Sequence, residues 1–209
     1  MSDIVECFQE RAEAVSAGVE HVDDLQEAFQ YTARVCAEKE ACQILVSGCE
    51  QSLSKPAEDL CSLQAPEKTI AAPGFPSSDL QPLVDLCKQQ GISVVTQGLR
   101  EYLGGMDIGF TLAEYGVAET GTVVLDSSGE DLRLATMIPE IHVVVLYRSC
   151  IVSDFSEIEG YLSKKFSSGA DYTAFITGPS RTADIERVLT LGVHGPLAQH
   201  IIIVNDIQE

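Results

Sequence analysis

The run at residues 141–146, Ile-His-Val-Val-Val-Leu, is almost wholly apolar and rich in β-branched residues. A strand that is apolar on both faces must lie inside a sheet covered on both sides, and such sheets are usually parallel with crossover helices. The rest of the chain supplies matching parts. Short apolar runs at 19–22, 43–47, 68–71, 92–95, 115–118, 122–125, 172–177 and 200–204 read as strands. Between them, helical spacing marks 4–15, 25–36, 78–89, 131–137, 154–165 and 183–191, with 106–110 as a short helical piece. Asp24-Leu-Gln-Glu27 resembles a capping box, Ser78 is placed to cap the helix that follows it, and Pro73-Gly-Phe-Pro76 is a turn. The alternation implies an α/β fold with a mostly parallel sheet and helices on both faces. Residues 1–40 are expected to form an N-terminal helical segment packed on an α/β domain at 41–209.

Composition narrows the partners. The chain has 209 residues, 13 Lys+Arg and 32 Asp+Glu, a net charge of −19. Phosphate neutralisation needs basic residues in quantity, so nucleic acid and anionic membrane surfaces are excluded as expected partners. No apolar run reaches the length of a membrane span and the first residues do not resemble a signal peptide, so a cytoplasmic protein is expected. Seven cysteines without any C-x-x-C spacing fit reduced, buried thiols better than a disulfide framework or a metal centre. The expectation is therefore no metal and no intrinsic cofactor.

Three segments could carry chemistry. In Gly178-Pro-Ser-Arg-Thr-Ala-Asp-Ile-Glu186 a strand is expected to run through a turn into a helix. The free N–H groups at Gly178, Ser180, Arg181 and Thr182, with the Arg181 guanidinium, would favour an anion there, and Asp184 lies beside them. The plainer reading makes Ser180 or Thr182 an N-cap and pairs Arg181 with Asp184. In Gly192-Val-His-Gly-Pro196, His194 could act as general acid or base, with Gly195 allowing close approach, or could only brace a turn. A helix over 183–191 would put Arg181 and His194 at opposite ends, an objection to a shared site. In the third, Glu119-Thr-Gly121 lies between two short strands, and Gly121 suits a positive φ. Glu119 could serve as nucleophile or base, with Thr120 and Gly121 beside the ligand, or could simply face water.

Tyr115-Gly-Val-Ala-Glu-Thr-Gly-Thr-Val-Val-Leu125, the Gly178–Glu186 segment and Gly192-Val-His-Gly-Pro196 resemble the lactate-utilisation (LUD) domain family in order and spacing. The stretch at 134–139, followed by an apolar strand, is similar to that family as well. The resemblance implies a Rossmann-like three-layer sandwich, similar to the sugar-phosphate isomerase and CoA-transferase group. It also implies a non-metal subunit or accessory protein that works with iron–sulfur and oxidoreductase partners in oxidising L-lactate to pyruvate. Any iron–sulfur cluster would then sit in a partner. The alternative is an enzyme or binding module for a small anionic metabolite (a phosphosugar, carboxylate or CoA ester) held at residues 178–182. Self-association into a homo-oligomer is left open.

Overall fold

A computed structural model describes residues 2–39, 68–102, 105–167, 172–182, 190–191 and 195–206. The strand expected at 43–47, residues 183–189 of the helix expected at 183–191, His194, Asp184 and Cys42, Cys49 and Cys61 lie outside them, while Thr190–Leu191, expected to end that helix, is a short strand.

Six parallel strands form the main sheet, in the order β1 (Ala17–Val22), β12 (Ala198–Val204), β7 (Ile141–Tyr147), β4 (Ile108–Leu112), β2 (Lys68–Ala71) and β3 (Ile92–Val95). The apolar run at 141–146 lies in β7, near the middle of this sheet, with Val143, Val144, Val145 and Leu146 fully buried. The expected mostly parallel α/β sheet is therefore present.

Alternation along β7 divides its side chains between two cores. Val143 and Val145 face α2 (Leu25–Glu38) and α3 (Ser77–Gln89), packing with Phe29, Phe110 and Leu83. Val144 and Leu146 face α1 (Ser2–Ala14) and a second sheet, packing with Phe8, Val123 and Ile201. Burying each of these large side chains contributes roughly 1.5–3 kcal/mol. At the head of α2, Asp24 Oδ1 accepts the Glu27 N–H at 2.9 Å, and the Glu27 carboxylate accepts the Asp23 N–H at 3.0 Å. The second sheet has the order β8 (Ile151–Val152), β5 (Tyr115–Val117), β6 (Thr122–Asp126) and β9 (Thr173–Ile176). Its hairpin turns at Gly121, whose φ is +65°.

Several expectations change. Residues 106–110 are not helical: Ile108–Leu112 is the central strand β4. Gly109 lies directly under α4 (Glu130–Met137), and a Cβ there would come within 1.8 Å of the Ala135 carbonyl oxygen. The strand over 172–177 does not join the parallel sheet; β9 pairs antiparallel with β6 at the edge of the second sheet. Arg181 and Thr182 do not open a helix. They form β10, which pairs antiparallel with β11 (Thr190–Leu191). Pro76, rather than Ser78, precedes α3, while Ser78 Oγ bonds the Asp79 carboxylate. The helix expected at 154–165 begins as a 3-10 turn over Phe155–Ile158 and becomes α5 at Glu159–Ser167. Among the described residues α2, α3 and the turn carrying Phe75 cover one face of the main sheet, and the other is covered by α1, α4 and the second sheet together.

A cleft at the amino ends of the central strands

The pressure of α4 on Gly109 sets the site. With its backbone against β4, α4 projects Arg133, Thr136 and Met137 beside the amino ends of β7 and β12. There β7 and β12 carry one buried polar residue each, His142 and Gln199, which are register partners. The Glu140 carbonyl ties the two strand starts together by accepting the Leu197 and Ala198 N–H groups at 2.7 and 3.3 Å. Across from α4 stand Tyr172, Thr173, Ala174 and Ile176, with Ser127; Gly178–Ser180 and Gly195–Pro196 close one end. The Ser180 N–H donates to the Pro196 carbonyl at 2.9 Å, so these two loops are stitched together. They enclose a cleft of about 370 Å³, within the usual range for small-molecule sites.

Its electrostatics separate rim from floor. Arg133 Nη1 donates to the Ser127 and Ser128 carbonyls at 2.7 and 3.0 Å, and the guanidinium lies 5.1 Å from the centroid of the Tyr172 ring. Among the described residues Nε and Nη2 have no hydrogen-bond partner, which leaves the edge that grips a carboxylate side-on. Beneath, burial pushes the His142 imidazole down to about 4, so the ring is neutral at pH 7; its Nε2 lies 2.8 Å from Thr111 Oγ1. Ser127 Oγ, Thr173 Oγ1 and both amide atoms of Gln199 are buried without a hydrogen-bond partner among the described residues. All four belong to residues lining this cleft. Buried polar atoms without partners are costly and uncommon in native proteins, and their clustering in one cleft makes it the candidate ligand site.

The residues singled out from sequence divide between this cleft and the nearby end of α1. Gly178, Ser180 and Gly195 line the cleft. Arg181 does not point into it; its guanidinium donates to the Val15 carbonyl just past α1. Thr182 is in β10. Gly121 packs on the same helix end, where a Cβ would come within 2.3 Å of the Ala12 nitrogen. Thr120 Oγ1 bonds Thr122 Oγ1 at 2.7 Å, and that hydroxyl bonds Thr177 Oγ1 at 2.8 Å. Glu119 is exposed in a separate depression with Arg11, Cys7 and Asp154. The antiparallel pairing of β10 with β11 sets Arg181 opposite Leu191, and the Ser180 N–H bond to the Pro196 carbonyl joins the neighbouring segments, while His194 lies outside the described residues.

The sequence reading did not single out Arg133, His142, Gln199, Ser127 or Thr173. The available signal was a polar residue at the second position of each of two largely apolar strands, His142 in β7 and Gln199, followed by His200, in β12. The cleft also opens at the amino ends of those strands, where the general tendency of open α/β sheets does not direct attention. Among the described residues no cluster of His, Cys, Asp and Glu could hold a metal ion. Among them, too, no helix is long and apolar enough to cross a membrane.

The sequence model of the LUD domain matches residues 5–204. Lactate utilization protein C of Halalkalibacterium halodurans is 40% identical over 103 residues, which are 48% of this chain and 45% of that protein. Its namesake in Bacillus subtilis is 35% identical over 103 residues, 48% of this chain and 43% of the relative. The chain thus spans about half the length of the curated relatives it matches. A crystal structure of a DUF162 family protein from Deinococcus radiodurans superposes with a TM-score of 0.54 at 19% identity, covering 97% of each chain, which shows a shared fold.

Proposed function

Because this chain belongs to the LUD domain family, we propose that it serves lactate utilisation by holding a small anionic metabolite in the cleft beside Arg133. The similarity to proteins named lactate utilization protein C supports the process. In this reading the chain acts beside iron–sulfur and oxidoreductase partners that oxidise L-lactate to pyruvate, and the cluster is theirs.

The observation that carries the binding role is the clustering of unpaired buried polar atoms of Ser127, Thr173 and Gln199 around one cleft. The side-on edge of Arg133 supplies the charge. Its position is already fixed by two carbonyls and an aromatic face, so little side-chain entropy is lost on binding. Met137, Ala174 and Ile176 line the walls with apolar surface that displaces water from the ion pair. The loop at 178–180 contributes one end of the cleft.

The test is complementation of a bacterium that lacks lactate utilization protein C. The wild-type chain should restore growth on L-lactate, and an Arg133→Met chain, produced at equal level, should not. Equal growth with both chains would refute the anion site. Failure of the wild-type chain would refute the lactate assignment.

A further inference from the structure

The floor of the cleft has a more specific demand than an anion alone. Gln199 is 1% exposed, and its Oε1 and Nε2 are both without partners among the described residues. Its neighbour across the sheet, His142, is occupied by Thr111 through Nε2 and carries no charge at pH 7. The floor therefore offers a neutral donor–acceptor pair, whereas the only cation lining the cleft among the described residues, Arg133, stands on α4 at its side. A primary amide of this kind is matched by a flat group that carries an N–H beside a C=O, since both bonds form at once in one plane. At about 370 Å³ the cleft has far more room than a three-carbon acid fills.

We propose that the cleft selects a planar ring with a lactam edge and an acid group at its other end, the lactam pairing with Gln199 and the acid with Arg133. The proposal rests on the cleft being an anion site, and its test separates the two.

Orotate, a pyrimidinedione carboxylate, and benzoate, which has a ring and carboxylate without the lactam, are titrated into the full chain while protein NMR shifts are followed. Orotate should bind roughly tenfold tighter or better, the gain from two additional hydrogen bonds in a dry site. In Gln199→Met that ratio should fall to near one while benzoate affinity stays, and in Arg133→Met both ligands should weaken together. Gln199→Leu serves as the second variant, and the melting temperature of either should not fall, because each removes an unpaired buried amide. Benzoate binding without an orotate preference would overturn the lactam assignment and leave the anion site standing. A preference that persists in Gln199→Met would overturn it too. Binding of neither ligand would overturn the anion site and the lactam assignment with it.

Discussion

Lys39 carries an unusual load for one side chain at the end of a helix. Its ammonium lies 2.6 Å from Asp107 and 2.8 Å from Glu140, with all three side chains nearly buried. Burial pushes its pKa down, but hydrogen bonds and charge from the two acids outweigh that and hold it above the usual value. Asp107 uses its second oxygen to accept the Thr69 N–H at 2.8 Å, so the cluster fixes the end of α2 against the starts of β2, β4 and β7. Removing one member of a buried ionic group strands the rest. Lys39→Met should therefore cost about 3–5 kcal/mol in urea unfolding at pH 7, and a loss under 1 kcal/mol would refute this account. Two cysteines show the opposite kind of environment. Burial lifts the Cys36 thiol to about 12 and the Cys87 thiol to about 11, leaving almost no thiolate at pH 8. Peptide mapping after maleimide treatment of the native protein should find both unlabelled. Rapid labelling of either would show that its helix opens or is misplaced.

At the scale of elements, α4 is the piece that converts the sheet into a site. Its contact with β4 has no space for a side chain at Gly109, so Gly109→Ala should cost about 2–4 kcal/mol and also weaken benzoate binding by displacing Arg133. A stable Gly109→Ala protein with unchanged binding would break the link between α4 and the cleft. The same contact explains what the sequence concealed. Residues 106–110 resemble a helical piece in isolation, and only a backbone carbonyl 26 residues further on makes Gly109 obligatory in a strand. The parallel strands β2, β7 and β12 were legible because burial on both faces leaves an apolar run in each, and β3, at the sheet edge, through Ile92, Val94 and Val95. β9 was misassigned because its local pattern is compatible with either sheet, and its partner β6 is some 50 residues away. The glycine- and proline-bearing loops at 178–180 and 195–196 were legible as site material, since sharp turns require those residues. Gln199 and His142 were not, because their adjacency depends on strand order. Arg181 shows the same limit: its partner, the Val15 carbonyl, comes from the other end of the chain. Arg181→Ala should lower stability by about 1 kcal/mol, the worth of one exposed charge-assisted bond at a helix end. A change of several kcal/mol would mean that the guanidinium bears more of the fold than this carbonyl.

For the molecule as a whole, the sheet that supplies the site also determines its response to acid. His142 is fully buried in the central strand and pushed from 6.5 to about 4, so the folded state resists a proton that the unfolded chain accepts. Its contribution is complete above pH 6.5, declines as the pH falls from there toward 4, and is flat below. Between pH 7.5 and 5 that loss is about 2 kcal/mol. His200, also held down by burial, acts with the same sign. Asp126, Asp154 and Asp206 are held below the usual carboxylate range, so their contributions persist through this interval and vanish only in stronger acid. The overall charge works the other way. At −19 the chain repels itself, and partial neutralisation on acidification relieves that repulsion. The raw pH dependence of stability is therefore a difference of opposing terms, and a single substitution is needed to isolate one of them. His142→Gln keeps a hydrogen-bonding group beside Thr111 and cannot titrate, while leaving every surface charge in place. Urea unfolding at pH 7.5 and 5 should show the wild type losing about 2 kcal/mol more than the variant over that interval. Parallel losses in the two proteins would mean that His142 is already protonated in the fold, and the neutral floor assigned to the cleft would have to be abandoned.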